Sequence, residues 1–216
     1  MGEIKGKNAK KFAKRAKQKD FTDMLDTYIV PLLKLKKTQN VADFGTGSGN
    51  IIPFLINNVK ELTAVEPSID MVNIMQKNYG HYKNLKIINK EANKTGLPEN
   101  SYDIVITKFA LHHIKDAEAV FNEAKRILKP DGKLIIIDMV FSSTAFIKII
   151  EPLYKLIKAL RQGMHEFHCV YRNKQVIINT AKSAGFKMNK KQLLPGKNTY
   201  RDRHYPAYIF IFQQSV

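Results

Sequence analysis

Five short apolar runs, each followed by a segment with helical spacing, constrain this chain more than any other feature. The runs are Asn40–Phe44 (NVADF), Leu62–Val65 (LTAV), Leu85–Ile88 (LKII), Asp103–Thr107 (DIVIT) and Lys133–Asp138 (KLIIID). They are nearly continuous in apolar residues rather than alternating, so both faces of each strand must be covered. Between them lie amphipathic stretches. Asn50–Val59 carries Ile51, Ile52, Leu55 and Val59. The stretch after Ser68 carries Met71, Val72, Ile74 and Met75 and ends at Gly80, and Asp116–Lys129 turns Ala117, Val120, Phe121, Ala124 and Ile127 inward. Strand and helix in strict alternation predict an α/β fold built on a parallel sheet.

The flanks keep a different rhythm. An N-terminal stripe of Phe21, Met24, Leu25, Tyr28, Ile29, Leu32 and Leu33 predicts a core-facing helix that Pro31 kinks or divides. Residues 139–172 are too long for a simple crossover. A helix over Asn173–Ala184, with Val176, Ile177, Thr180, Ala181 and Ala184 inward, is stopped by Gly185, and Phe186–Leu194 and Ala207–Gln213 form a last pair of strands. With 216 residues and no repeat or linker, one domain is expected: a basic N-terminal helical cap (1–37), a core (38–138), an insertion (139–172) and a C-terminal unit (173–216).

Directly after the first strand comes Gly45-Thr46-Gly47-Ser48-Gly49. Glycine admits positive φ and lets a ligand approach the main chain. The dinucleotide fingerprint G-x-G-x-x-G is not met, because Asn50 stands at its last position, and there is no Gly-Lys-Ser/Thr for a phosphate loop. Asp43, two residues before Gly45, points to a ligand with a cationic end. Glu66, 21 residues after Gly45 at the tip of the second strand, is placed to take ribose hydroxyls. The spacing favours a nucleoside without a pyrophosphate.

Charge divides the same way. The formal net charge is +17, yet residues 38–141 hold 12 basic and 12 acidic side chains; the excess lies in 1–37 and 142–216. Such flanks suit a solvated surface or attract an acidic partner: nucleic acid, an anionic membrane face or an anionic small molecule. The single Cys169 excludes an internal disulfide and a cysteine-based zinc cluster. The lysine-rich start is no secretory signal and no run approaches a membrane span, so a cytoplasmic protein is expected.

The blocks VADFGTGSG, VEPSIDMV, TGLPENSYDIVITKFALHHI and EAKRILKPDGKLIIID, in that order, resemble those of class I S-adenosylmethionine-dependent methyltransferases, over about Asn40–Asp138. The resemblance implies a three-layer Rossmann-like sandwich whose mostly parallel seven-stranded sheet has an antiparallel last strand. It implies S-adenosyl-L-methionine as cofactor and S-adenosyl-L-homocysteine as product. Asp43, Gly45, Thr46, Gly47 and Gly49 would hold the methionyl part, Glu66 and Pro67 the ribose. Ile69 or Met71 would pack on adenine, Glu91 and Ala92 would meet its edge, and Lys108 to Leu111 would border the methyl group.

His113 and His112, after the fourth strand, are the candidates for acid–base chemistry; helix capping is their other use. The run HEFHC (165–169) has no zinc-protease spacing, and no metal is expected. Its His165 and His168, with Tyr28, Leu111, Tyr171 and Arg172, are the candidates for touching substrate. The absence of an Asn/Asp-Pro-Pro-Tyr/Phe motif after the fourth strand argues against amino methylation of DNA bases. Three readings follow. The leading one is methylation of a small-molecule acceptor under a cap formed by 139–172. The others are methylation of RNA or protein held by the basic flanks, and a cofactor-binding scaffold without turnover.

Overall fold

The computed structural model describes residues 6, 7, 9, 10, 13, 25–140, 172–194, 199, 200, 203, 204 and 206–214. Its strands are β1 (Asn40–Phe44), β2 (Glu61–Val65), β3 (Leu85–Ile88), β4 (Tyr102–Lys108), β5 (Leu128–Met139), β6 (Phe186–Leu193) and β7 (Ala207–Gln214). They form one seven-stranded sheet in the order β3-β2-β1-β4-β5-β7-β6. β1 to β5 pair in parallel, and β7 runs antiparallel between β5 and β6. The chain builds outward from β1 to β3, then returns to the other side of β1 with β4. The strand order reverses between β1 and β4, and in such sheets ligands sit in the crevice outside the strands' C-terminal ends at that switch point.

Successive residues of each strand enter opposite layers. Ala42, Phe44, Val105, Leu134, Ile136, Phe210 and Phe212 pack on one face with α4 (Ala117–Ile127) and α5 (Lys174–Ser183). Val41, Ile104, Ile106, Ile135, Ile137 and Ile209 pack on the other. There they meet Leu25 and Ile29 of the turn Leu25–Ile29, Leu33 of α1 (Val30–Leu33), α2 (Ile52–Leu55) and Met75 of α3 (Ile69–Tyr79). Each fully buried aliphatic or Phe side chain contributes about 1.5–3 kcal/mol of transfer free energy. Helices on both faces of the sheet make the expected three layers.

Caps fix where the longer helices begin. Ser68 Oγ accepts from the Met71 amide, Asp116 Oδ1 from Ala119, and Asn173 Oδ1 from Val176.

Three expectations need correction. The helix over Asn50–Val59 shrinks to α2 and a 3₁₀ turn at Ile56–Asn58, because Val59 is already extended on the way to β2. The helix after Asp116 ends at Ile127 rather than Lys129. Leu128 is extended and pairs with Tyr102, so β5 begins there, before Pro130. On α5, Val176 is 42% exposed and Ile178 takes the buried place.

A polar clamp ties the loop before β4 to α4. The Thr95 amide and hydroxyl donate to Glu123, and Arg126 donates to Glu123 and to the Leu97 carbonyl. Burial alone would raise the Glu123 carboxyl, but the Arg126 fork and the Thr95 donors together outweigh it and hold it near about 2. Glu123→Gln should therefore lower stability at pH 7 by about 1–3 kcal/mol, the usual cost of losing hydrogen bonds to a charged group. A depressed carboxyl stabilises above its unfolded value, so the deficit should shrink as pH falls from 4.5 toward about 2. Denaturant midpoints of both proteins across that range check this.

Candidate functional site

β1 delivers Asp43 to the crevice, and the glycine turn follows. Gly45, Gly47 and Gly49 all have positive φ (74°, 63° and 83°). The Gly45 and Thr46 amides donate to the Val65 carbonyl at 2.8 and 3.2 Å, and the Thr46 hydroxyl donates to the Asp43 carbonyl at 2.8 Å. These bonds fold the turn back over β2. A Cβ on Gly45 would lie 2.5 Å from the Ala110 Cβ, and one on Gly49 within 2.9 Å of Ile52, Met75 and Tyr79. Gly45 thus lets the turn after β4 close in, while Gly49 lets α3 close in.

The electrostatics of the crevice are unusual. Asp43 is 1% exposed, and neither carboxylate oxygen has a hydrogen-bond partner among the described residues. Burial pushes its carboxyl up to about 6, with Lys108 pulling the other way. Burial lowers the Lys108 ammonium to about 8 against the opposing pull of Asp43 and Asp138. A buried carboxylate without hydrogen-bond partners costs free energy, and a cationic group seated against it would recover part of that cost.

Glu66 is held from both sides. Its Oε2 accepts from the Gly47 amide at 2.8 Å and its Oε1 from Ser68 at 2.9 Å. Asn89, which the sequence reading did not single out, donates its side-chain amide to the carbonyls of Glu66 and Pro67. Ile69 stands 50% exposed beside this loop, while Met71 is 1% exposed. Of the two candidates for an adenine face, only Ile69 offers surface. Glu91 is exposed on the turn after β3, and Ala92 is buried in the core.

After β4 the chain makes a tight turn. Phe109 takes φ +50°, rare for an aromatic residue, while its amide donates to the Ile137 carbonyl at 2.7 Å. The 3₁₀ turn Leu111–His113 follows. His112 is 5% exposed, and its Nδ1 meets Asp138 Oδ1 at 2.5 Å while its amide donates to Asp138 Oδ2 at 3.0 Å. The His113 ring lies 4.0 Å from the His112 ring, centroid to centroid.

The Arg172 guanidinium is buried. Nη1 donates to the Leu111 carbonyl at 2.8 Å; Nη2 donates to Ile114 and Lys115 at 2.6 and 2.8 Å. Leu111 itself is a core residue, and Tyr28 is 43% exposed. His165, His168 and Tyr171 lie outside the described residues. Among the described residues no group of three or more His, Cys, Asp or Glu could hold a metal ion, and no helix is long and apolar enough to cross a membrane.

Residues 42–136 match the family model of the methyltransferase domain. That segment is similar to methyltransferase domains. Two curated proteins are similar to this chain in sequence. One is an uncharacterized methyltransferase of Staphylococcus carnosus, 28% identical over 59% of this chain and 61% of its own length. The other is the ubiquinone/menaquinone biosynthesis C-methyltransferase UbiE of Escherichia coli, 25% identical over 77% of this chain and 64% of its own length. The chain thus matches about three fifths of each of these methyltransferases. A solved SAM-dependent methyltransferase of Methanosarcina mazei shares the fold, with TM-score 0.72 and 15% identity over 89% of this chain and 100% of that one. The matched segment contains Asp43, the glycine turn, Glu66 and the histidine turn.

Proposed function

We propose that the chain binds S-adenosyl-L-methionine in the crevice between β1 and β4 and transfers its methyl group to a small-molecule acceptor. The Asp43 carboxylate, with no hydrogen-bond partner among the described residues, carries this reading. It is buried, charged above about pH 6 and beside a glycine turn, the environment a ligand ammonium group needs. The residues fit the cofactor. Asp43 would take the ammonium, the Gly45–Gly49 backbone would admit the methionyl chain, Glu66 the ribose hydroxyls, and Ile69 the adenine face. When bound, the sulfonium supplies an electrophilic methyl group. The protein has to align the acceptor and exclude water, which is worth roughly 7–11 kcal/mol in effective concentration. Kinship with a quinone-pathway C-methyltransferase supports a small-molecule acceptor.

The test is calorimetric titration with S-adenosyl-L-homocysteine. Glu66→Ala should weaken binding at least about tenfold, because a charged acceptor of paired hydroxyls is worth about 1.5–3 kcal/mol. Glu66→Gln should fall between the two. Equal affinity in all three proteins would remove Glu66 from the ribose site.

The neutral core between basic flanks supports a second reading, with RNA or protein as acceptor. Salt-sensitive binding of bulk RNA would favour an RNA acceptor, since phosphate contacts release counterions. Label from a radioactive methyl donor, appearing in the small-molecule, RNA or protein fraction of an extract, decides among the acceptors.

A further inference from the structure

We propose that Asp43 and Lys108 together recognise a zwitterionic amino-acid head on the ligand, Asp43 taking its ammonium and Lys108 its carboxylate. This deepens the methyl-transfer reading and rests on it. Asp43 is the penultimate residue of β1, and Lys108 is the last residue of β4, its parallel neighbour. Asp43 pairs with Ile106 and Phe44 with Thr107, so Lys108 stands one step further along, level with Gly45. Side chains alternate between the faces of a strand. Val41 and Ile106 pack in the layer of α1 to α3, which puts Asp43 and Lys108 on that same face as diagonal neighbours. The Lys108 ammonium lies 5.5 Å from the centre of the Phe109 ring, and Phe109 packs against the same layer.

The two charges are buried close together but not joined. Asp43 is 1% exposed and Lys108 8%, and each favours the charged form of the other. Yet neither oxygen of Asp43 has a hydrogen-bond partner among the described residues, Lys108 included. Attraction between buried ions repays their desolvation only when the geometry is good and the remaining lone pairs are bonded. A pair that served the fold alone would therefore close to contact. Arg172 is the other buried Lys or Arg among the described residues, and its Nη1 and Nη2 are committed to the carbonyls of Leu111, Ile114 and Lys115.

The ligand class follows from the pattern of charge. A bare cation set against Asp43 would be opposed by the Lys108 ammonium beside it. A zwitterion answers both groups at once, because its ammonium and carboxylate lie a few bonds apart, as the two side chains lie on neighbouring strands. Lysine suits the second role, since its compact ammonium carries three donors and accepts a carboxylate from several directions. Asp138 on β5 also supports the charge of Lys108. The site thus separates ligands with one adenosine part by their heads. One that carries both charges is favoured, one that keeps the ammonium alone is opposed by Lys108, and one without charges gains nothing from either residue.

The experiment is calorimetric titration of the whole chain at about pH 7, between the values of about 6 for Asp43 and about 8 for Lys108, so that both are charged. Three probes are used: S-adenosyl-L-homocysteine, its decarboxylated analogue and 5′-methylthioadenosine, which has neither head charge. Wild type should prefer the first over the second at least about tenfold, the share of a hydrogen bond between charged groups. Lys108→Met should weaken S-adenosyl-L-homocysteine by about 10–10²-fold and leave the decarboxylated analogue no weaker, so the preference collapses. Lys108→Arg should keep most of it. Asp43→Asn should weaken both probes that carry an ammonium and spare 5′-methylthioadenosine. A wild type without the preference, a Lys108→Met protein that retains it, or equal weakening of all three probes by Lys108→Met would overturn the proposal while the methyl-transfer reading stands. Should Lys108→Met fail to fold, the wild-type preference and its retention in Lys108→Arg decide. A wild type that binds none of the three would overturn both.

Discussion

Asp43→Asn should leave the ligand-free protein more stable than wild type at pH 7.5, and nearly unable to bind S-adenosyl-L-homocysteine. The sign follows from the raised carboxyl. Its folded value is about 6 against 3.8 unfolded, so the folded state binds the proton more tightly. Ionised Asp43 therefore destabilises the fold. That penalty is absent below 3.8, grows between 3.8 and about 6, and is complete above about 6. A difference of about two pH units is worth about 3 kcal/mol at 1.36 kcal/mol per unit. Lys108 sets a limit on the gain. Its ammonium is also buried and draws support from Asp43, so removing the carboxylate pushes it below its present value of about 8. Part of the gain is returned there, and about 3 kcal/mol is an upper bound. The gap between Asn and Asp should open as pH rises from 4 to 7, read from denaturant unfolding of the ligand-free proteins. Binding should move the other way. Truncating one partner of a buried charge pair typically costs 3–5 kcal/mol, at least about 10²-fold in affinity. The wild-type affinity should itself fall below about pH 6, as Asp43 takes up its proton. An Asn variant that is no more stable and binds as well as wild type would mean that Asp43 is not the ammonium site.

Such a trade of stability for a charged cavity was partly legible in the sequence. Asp43 stood out because it interrupts an otherwise apolar strand two residues before a glycine, and Glu66 because of its distance from that glycine. Local patterns like these survive folding, since strand direction and sheet order carry the tips of β1 and β2 to the same edge. The strands were legible for the same reason: apolar runs buried on both faces leave little freedom of assignment. The end of the helix after Asp116 was not. Leu128 suits a helix by propensity, and its extended conformation comes from pairing with Tyr102 in β4, which no local pattern encodes. The contacts of Arg172 and Asn89 were not legible for a related reason. Their partners are main-chain carbonyls about 60 and 22 residues away, and any residue offers a carbonyl, so no partner side chain flags the contact. Asp138 was read as the end of a strand; its bond to His112 depends on where the turn after β4 closes.

That closure makes Gly45→Ala the most disruptive small change expected in the crevice. Two costs add. Gly45 has φ +74°, where an L-residue loses roughly 1–2 kcal/mol. The new methyl would also lie 2.5 Å from the Cβ of Ala110, an atom fixed to the backbone of a turn that Arg172 and Asp138 already hold. Overlap that cannot be relieved by a rotamer costs typically a further 1–3 kcal/mol. The sum of about 2–5 kcal/mol is a large share of the stability of a single domain. Gly96 separates the two terms. It has φ +71°, but a Cβ there meets nothing within 4 Å. Gly96→Ala should therefore show the conformational cost alone, about 1–2 kcal/mol, with unchanged affinity for S-adenosyl-L-homocysteine. Gly45→Ala should lose more stability, bind the same ligand much more weakly, and shift the His112 NMR signals as the Ala110 turn is pushed outward. Equal losses for the two variants, with binding intact in both, would show that the turn yields freely and that its contact with the glycine loop does not shape the site.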